Sequence, residues 1–75
     1  MNILTEYRVK ARLRQKEAAE RIGVQQATVS SWETGHKMPT AENLFKCAEV
    51  YGVSFDELFD SFMREKRNAE FGRTA

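Results

Sequence analysis

The chain has 75 residues, of which 41% are hydrophobic and 31% are charged. These values are typical of a folded soluble domain, and this length leads us to expect one small domain without a separate catalytic or ligand-binding domain. The formal net charge is +1, with residues 1–37 carrying +3 and residues 38–75 carrying −2. This polarity suits a domain with one face on phosphate groups, but solvated helix faces explain it equally well.

Cysteine, histidine and apolar runs are scarce. With 1 Cys and 1 His, the sequence offers neither an intramolecular disulfide nor a metal site, and we expect no cofactor. The first residues form neither a basic leader with an apolar run nor a membrane span, which needs about twenty apolar residues. The sequence therefore predicts a cytoplasmic protein that does not contact a membrane.

Helix-forming residues dominate the chain, and hydrophobic spacing predicts a compact all-α fold of five helices. In chain order, the predicted helices cover about residues 2–11, 15–22, 26–34, 41–51 and 55–66. We expect residues 1–66 to form one folded domain and residues 67–75 a flexible C-terminal tail, because the tail is short, polar and terminal.

Capping residues support these boundaries. Gly23 and Gly35 stand where the second and third helices end, a position that often needs the left-handed backbone conformation. Thr40 is expected to cap the fourth helix. Ser54 and Glu57 form a capping-box signature at the start of the fifth.

The second and third helices are separated by a turn of about four residues that begins at Gly23. The small Ala19 permits the third helix to cross closely over the second, and Val24 and Val29 fill the crossing. This arrangement predicts a helix-turn-helix, although a helix pair alone also fits an ordinary αα-corner. Trp32 and Cys47 lie on apolar stripes of the third and fourth helices and are predicted to be core residues.

A longer pattern of residues is more specific than the helix pair. It comprises Gln15-Lys16-Glu17-Ala18-Ala19, Gly23-Val24, Thr28-Val29-Ser30-Ser31-Trp32-Glu33-Thr34-Gly35, Pro39, Leu44, Ala48, Tyr51, Gly52-Val53-Ser54 and Asp56-Glu57-Leu58. This pattern closely resembles the phage-repressor or Cro-type helix-turn-helix family, also called the xenobiotic-response-element family. The resemblance covers about residues 3–60 and implies a regulator that binds double-stranded DNA.

The resemblance also implies which side chains contact DNA. Gln15 is expected to lie against phosphate and to orient Gln26, the principal candidate for reading an adenine edge. Ala27 and the Thr28 methyl group are expected to meet thymine methyls, and Ser31 can donate or accept a hydrogen bond. The complete candidate set is Gln15, Gln25, Gln26, Ala27, Thr28, Ser31, Thr34, His36, Lys37 and Thr40.

Within this set, Thr34, His36, Lys37 and Thr40 are expected to face the DNA backbone rather than the bases. For Lys37, an ordinary solvated loop lysine is the alternative. His36 has no second ligand or nucleophile near it in sequence and is therefore a poor metal or catalytic residue.

Arg8 and Glu33 match family positions that pair between the first helix and the end of the third, and we interpret them as a structural ion pair. The chain also departs from the family. Arg12 stands where glycine often ends the first helix, so the following turn is expected to be strained or built differently. Ala18 and Cys47 replace larger residues and thin the core.

Aromatic residues on the fifth helix exceed what a small core needs. Phe59, Phe62 and Met63 are predicted to form an exposed, self-complementary dimer interface. The sequence thus predicts a homodimeric bacterial or phage-type operator-binding regulator, most simply a repressor.

We expect the activity of such a regulator to be controlled by a regulatory protein partner, by proteolysis or by its own concentration. The alternative function is a protein-interaction module, such as the antitoxin of a toxin-antitoxin pair, with DNA binding secondary. An enzyme ranks third, because no acid/base, metal or nucleophile constellation can be assembled.

Overall fold

The computed structural model describes the backbone of residues 2–74 and the side chains of residues 2–68. In this part of the chain the secondary structure consists of α1 (Ile3–Lys10), α2 (Gln15–Ile22), α3 (Gln26–Thr34), α4 (Ala41–Tyr51) and α5 (Phe55–Thr74). The predicted all-α class is therefore confirmed. The bounds of α2, α3 and α4 are those that the sequence predicts.

Side-chain caps fix the starts of α4 and α5. Thr40 Oγ1 accepts a hydrogen bond from the Asn43 backbone N–H at 3.1 Å. Ser54 Oγ accepts one from the Glu57 backbone N–H at 3.1 Å. Each bond satisfies one of the backbone donors that a helix leaves unpaired at its start. The predicted Thr40 cap is confirmed, and the bond to Ser54 is one of the two bonds of the predicted capping box.

The C-terminal helix is longer than predicted. The sequence predicts that it fades after about Lys66, but α5 continues to Thr74, so that prediction is wrong. The segment beyond Lys66 contains no proline, and the single Gly72 costs only about 1 kcal/mol relative to alanine, too little to end a helix by itself. The division into a domain of residues 1–66 and a flexible tail of residues 67–75 stays a prediction. Met1 and Ala75 lie outside the described residues.

The five helices enclose one core. α2 packs on α3 and α4, α4 packs on α5, and α1 contacts α3, α4 and α5. The buried apolar side chains are Leu4, Leu13, Ala18, Ala19, Ile22, Val29, Trp32, Leu44, Cys47, Ala48, Tyr51, Leu58 and Phe62. Trp32 and Cys47 are thus core residues, as predicted. None of the described helices is both long enough and apolar enough to span a membrane.

Cys47 is a packing residue rather than a reactive thiol. Burial, with a smaller contribution from the negative charge of Glu33, raises the pKa of its thiol to about 12. Because the thiolate is the reactive form, the protonated side chain acts as a small apolar group in the core.

Phe62 does not lie in an exposed patch. Only 7% of its surface is accessible, so the prediction that it is exposed and available for dimerisation is wrong. It follows the fully buried Leu58 by four residues and therefore lies on the same inward face of α5. Phe59 and Met63, each one position further along, are 40% and 39% exposed.

The turn between α1 and α2 has an unusual backbone. Arg12 adopts φ = +61°, and no other non-glycine residue in the described chain has positive φ. Its backbone N–H donates to Val9 O at 2.9 Å, and the Leu13 N–H donates to Arg8 O at 3.2 Å. An L side chain is disfavoured in this left-handed conformation. The expected strain after the first helix is therefore present at Arg12.

Candidate nucleic-acid interface

A tight turn joins α2 to α3. Gly23 adopts φ = +92°, which is the left-handed region that favours glycine. The Gly23 and Val24 backbone N–H groups both donate to Ala19 O, at 2.8 and 3.0 Å. Ala19 is 2% exposed, so a small side chain lies inside the helix pair. The turn thus directs α3 across α2, as a helix-turn-helix requires.

A largely buried ion pair fixes the C-terminal end of α3 to α1, with the side chains of Arg8 and Glu33 13% and 5% exposed. Arg8 Nε donates to Glu33 Oε2 at 2.7 Å, and Arg8 Nη2 donates to Glu33 Oε1 at 3.0 Å. The two parallel bonds set the orientation of both side chains as well as their separation. Arg8 Nη1 also donates to Leu13 O at 2.8 Å, which ties the pair to the segment before α2. The predicted pair is present and connects three parts of the chain.

Gln15 completes this network in a way that the sequence does not predict. Its Nε2 donates to Glu33 Oε1 at 3.0 Å. The expectation was that Gln15 orients Gln26. Gln26 lies seven residues before Glu33, about 10 Å away along the helix axis, so the Gln15 amide is bonded at the opposite end of α3. A contact between Gln15 and phosphate stays a prediction.

The Glu33 carboxylate is held in its charged form. Burial alone raises the pKa of Glu33, but the hydrogen bonds from Arg8 and Gln15 and the positive charge of Arg8 outweigh it and lower the pKa below its usual value. The pKa of Arg8 is raised, first by its hydrogen bond to Glu33. Both groups are therefore ionised at neutral pH, and each compensates the burial of the other.

The predicted base-reading side chains lie on the outer face at the start of α3. Gln25, Gln26 and Ala27 are exposed, while Thr28 and Ser31 are partly exposed. The opposite face of the helix carries Val29 and Trp32, which are 1% and 4% exposed and pack in the core. The helix therefore presents one small polar face to the surroundings.

The residues predicted to contact the DNA backbone lie at the end of α3 and in the segment after it. Thr34, His36, Lys37 and Thr40 are exposed. The loop folds back on the helix, because the backbone N–H groups of His36 and Lys37 both donate to Ser31 O, at 2.9 and 3.2 Å. The first residues of the loop thus lie against the last turn of α3.

Asn2 is a supporting residue that the sequence reasoning missed. Its Oδ1 accepts from the Leu4 backbone N–H at 3.0 Å and caps α1, while its Nδ2 donates to Trp32 O at 2.6 Å near the end of α3. An asparagine directly before an apolar helical pattern is a recognised start signal, so the cap was detectable. The bond to Trp32 depends on tertiary packing and could not be detected from the sequence.

The described residues offer little else for chemistry. Among residues 2–68, no three or more His, Cys, Asp or Glu side chains are grouped so that they could hold a metal ion. What the site presents is an exposed polar helix, a polar loop and a buried ion pair that anchors the helix. Together with the glycine turn, these features define a helix-turn-helix domain.

Comparison with known sequences gives the same class. The sequence model of the family described as Helix-turn-helix matches residues 4–58, so the chain belongs to this family. The HTH-type transcriptional regulator ImmR of Bacillus subtilis is 35% identical over 65 residues, which cover 87% of this chain and 51% of that protein. No solved structure gives a significant match.

Two further relatives extend the comparison. The cryptic phage CTXphi transcriptional repressor RstR of Vibrio cholerae is 39% identical over 44 residues, covering 59% of this chain and 39% of that protein. The uncharacterized HTH-type transcriptional regulator MJ0272 of Methanocaldococcus jannaschii is 33% identical over 58 residues, covering 77% of this chain and 88% of that protein. The resemblance to phage repressors is thus confirmed, and this chain spans about half or less of the ImmR and RstR proteins.

The ion pair yields a stability prediction. Arg8→Ala and Glu33→Ala should each lower the free energy of unfolding by on the order of 3 kcal/mol, because each leaves the partner's charge buried and unpaired. The double variant should lose clearly less than the sum of the two single losses, as expected for residues in contact. Urea denaturation followed by circular dichroism measures all three values.

The exposed pair Arg64–Asp60, whose side chains are 75% and 62% accessible, is the matched control. Its double-mutant cycle should give a coupling below about 1 kcal/mol. An additive Arg8–Glu33 cycle would contradict the buried pair.

The pH dependence of stability follows from the lowered pKa of Glu33. The contribution of Glu33 to the free energy of unfolding is fully present above the unfolded-state pKa of about 4.3 and is lost as the pH falls through the folded-state pKa. The stability advantage over Glu33→Gln should shrink accordingly below about pH 4.

Proposed function

We propose that this chain is a sequence-specific transcriptional regulator that inserts α3 into the major groove of operator DNA. The observation that carries the proposal is the exposed polar face at the start of α3, on a helix whose far end is locked by the buried Arg8–Glu33 pair. A major groove about 12 Å wide admits one α-helix, and short polar side chains on that helix can reach base edges.

Base reading in this proposal falls mainly to Gln26. A glutamine amide can donate to and accept from adenine in the major groove at the same time. Ala27 and Thr28 offer methyl groups to thymine, and Ser31 offers a hydroxyl one turn further along the helix. Gln25, which is exposed at the start of α3, lies beside the same groove in this arrangement.

Contacts to the sugar-phosphate backbone fix the position of the helix. Lys37 supplies a positive charge, and Thr34, His36 and Thr40, which are also exposed, supply polar groups from the end of α3 and the segment between α3 and α4. Gln15, at the start of α2, is proposed to lie near phosphate on the same side. These contacts give affinity and register but carry no sequence information.

Repression is the simplest regulatory outcome, since a domain seated on promoter DNA blocks access to it. The name of the Vibrio cholerae relative, a phage transcriptional repressor, supports this direction. Membership in a family of transcriptional regulators also supports a non-enzymatic role. No relative favours the alternative of an antitoxin, and a regulatory protein partner stays a prediction.

Dimerisation through an aromatic patch on α4 and α5 completes the proposal. The ring of Phe55 lies 5.9 Å from that of Phe45 and 5.4 Å from that of Phe59. Phe45, Phe59 and Met63 are 52%, 40% and 39% exposed. This patch replaces the predicted one, in which Phe62 was central. A second copy is the proposed partner, because a twofold axis pairs the patch with itself and brings a second α3 to a neighbouring groove.

The base-reading role of Gln26 can be tested against the backbone role of Lys37. Gln26→Ala should weaken binding to the cognate duplex by roughly 1–3 kcal/mol and leave binding to a scrambled duplex nearly intact, because a base-specific hydrogen-bond pair is lost. Lys37→Ala should weaken both duplexes about equally and reduce the slope of log Kobs against log salt by about one unit. Fluorescence anisotropy at several salt concentrations measures both.

Each variant serves as the control for the other, since both side chains are exposed and their loss leaves the core intact. If the Gln26→Ala variant keeps full discrimination between the two duplexes, the Gln26 side chain does not read bases. A loss confined to the cognate duplex in Lys37→Ala would likewise rule out the backbone assignment.

The dimer proposal predicts opposite results for two neighbouring phenylalanines. Phe59→Glu should give a folded, mainly monomeric protein whose affinity for the full operator falls sharply and whose half-site affinity changes little, because a charge enters an apolar interface. Phe62→Glu should instead unfold the domain, because it buries a carboxylate in the monomer core. Analytical ultracentrifugation and circular dichroism give the two readouts. A dimeric Phe59→Glu protein would place the interface elsewhere.

A further inference from the structure

A cleft opens between the C-terminal end of α3, the loop that follows it and α5. Its volume is about 350 Å³, within the range of about 300–1,000 Å³ that small-molecule sites occupy. Apolar side chains line it from all three sides: Trp32 from α3, Met38 from the loop and Phe62 from α5. None of the residues of the aromatic patch lines it, so the cleft is separate from the proposed dimer interface.

The apolar lining combines fixed and flexible side chains. Trp32 and Phe62 are 4% and 7% exposed, so core packing holds both rings in place. Met38 is 52% exposed, and its unbranched side chain can adjust to the shape of a ligand. An apolar group that enters the cleft therefore meets a fixed aromatic wall and one adaptable side chain.

The two acidic side chains of the cleft are already engaged. Glu33 forms the ion pair with Arg8 described above. Glu65 Oε1 accepts a hydrogen bond from the Ile3 backbone N–H at 3.1 Å, at the positively polarised start of α1. Each carboxylate therefore has a positive counterpart within the fold and adds little net negative charge to the cleft.

The two basic side chains of the cleft are not engaged in this way. Lys37 comes from the loop and Lys66 from α5, and neither pairs with a carboxylate among the side chains of residues 2–68. Lys37 is exposed and Lys66 is half-buried. A ligand whose apolar body fills the cleft thus lies beside two ammonium groups. A carboxylate on that ligand can accept charge-assisted hydrogen bonds from them.

We propose that this cleft binds a small aryl carboxylate, with its ring against the aromatic wall and its carboxylate at the two lysines. A second cleft of about 350 Å³, between α2 and α4, also has basic residues at its surface. No aromatic residue lines that second cleft among the described side chains. The combination of an aromatic wall and a cationic edge therefore distinguishes the proposed site from a groove of equal volume.

Lys37 links the cleft to the proposed function. The same side chain is proposed above to contact the sugar-phosphate backbone of DNA, so a bound carboxylate competes with phosphate for its charge. The ligand then acts as an effector that weakens DNA binding, a consequence that rests on the proposed function. Such control takes place within the helix-turn-helix domain and adds a route to those that the sequence predicts.

Proton–nitrogen correlation NMR of the full chain tests the site, because Trp32 is the single tryptophan and its indole N–H gives one signal. The probe is 4-phenylbutyrate, and 4-phenylbutanol and 4-phenylbutylamine are the neutral and cationic controls. The probe should shift the Trp32 and Lys37 signals with a Kd on the order of 1 mM. Both controls should bind about threefold more weakly or less. Absence of these shifts, or equal affinity for all three compounds, would overturn the site.

Variants separate the charged and apolar parts of the site. Lys66→Ala should weaken 4-phenylbutyrate binding about threefold and leave 4-phenylbutanol binding unchanged. Met38→Ser should weaken both, because it removes apolar contact surface, and Met38→Leu should retain both. Lys46→Ala, in the cleft between α2 and α4, is the matched control and should change neither. An equal loss in Lys46→Ala would contradict the site, because net charge alone would then explain binding.

The affinity for a mixed-sequence DNA duplex gives the second readout. At saturating 4-phenylbutyrate, compared with the same concentration of acetate, the affinity of wild type should fall about fivefold near 0.15 M salt. The Lys37→Ala variant should show no further loss. If the probe binds and DNA affinity is unchanged, the effector role is wrong and the proposed function stands. If wild type does not bind duplex DNA at all, the proposed function fails, and the NMR titration still decides whether the cleft is a ligand site.

Discussion

The Arg8–Glu33 ion pair is the interaction on which the arrangement of this domain depends. It joins α1 to the end of α3 by two hydrogen bonds of 2.7 and 3.0 Å, and Gln15 at the start of α2 binds the same carboxylate. The exposed face of α3 can read DNA only if the helix keeps one orientation relative to the rest of the domain. A buried, two-bond ion pair is well suited to this, because it has a single favourable geometry.

Such a small domain has little stability to spare. Domains of this size are stable by only about 4–11 kcal/mol, so a strained turn is a significant cost. The turn between α1 and α2 contains Arg12 with positive φ. The surface of α4 and α5 adds an aromatic patch in which Phe45 and Phe59 are 52% and 40% exposed. Such an exposed patch is consistent with selection for binding at the expense of the isolated fold.

Local signals in the sequence predicted most of the fold. Capping residues and hydrophobic spacing act within a few residues, and they located α2, α3 and α4 to the residue. The errors at Phe62 and Gln15 concern features that depend on tertiary packing. Phe62 is buried because it shares a face of α5 with Leu58, and Gln15 binds Glu33 because tertiary packing brings two helix ends together. For the candidate site, the sequence predicted which residues are exposed. The hydrogen bonds that hold α3 in place, from Gln15 to Glu33 and from Asn2 to Trp32, depend on tertiary packing.

Selection of bound sequences from a pool of random duplexes tests whether a dimer of this chain reads DNA through α3. In the proposed complex, a dimer places two copies of α3 in successive major grooves on one side of the duplex. We therefore expect enrichment of a symmetric site with two half-sites whose centres lie about 10 base pairs apart, one helical turn. Binding that enriches no sequence, or a single half-site without a symmetric partner, would contradict it.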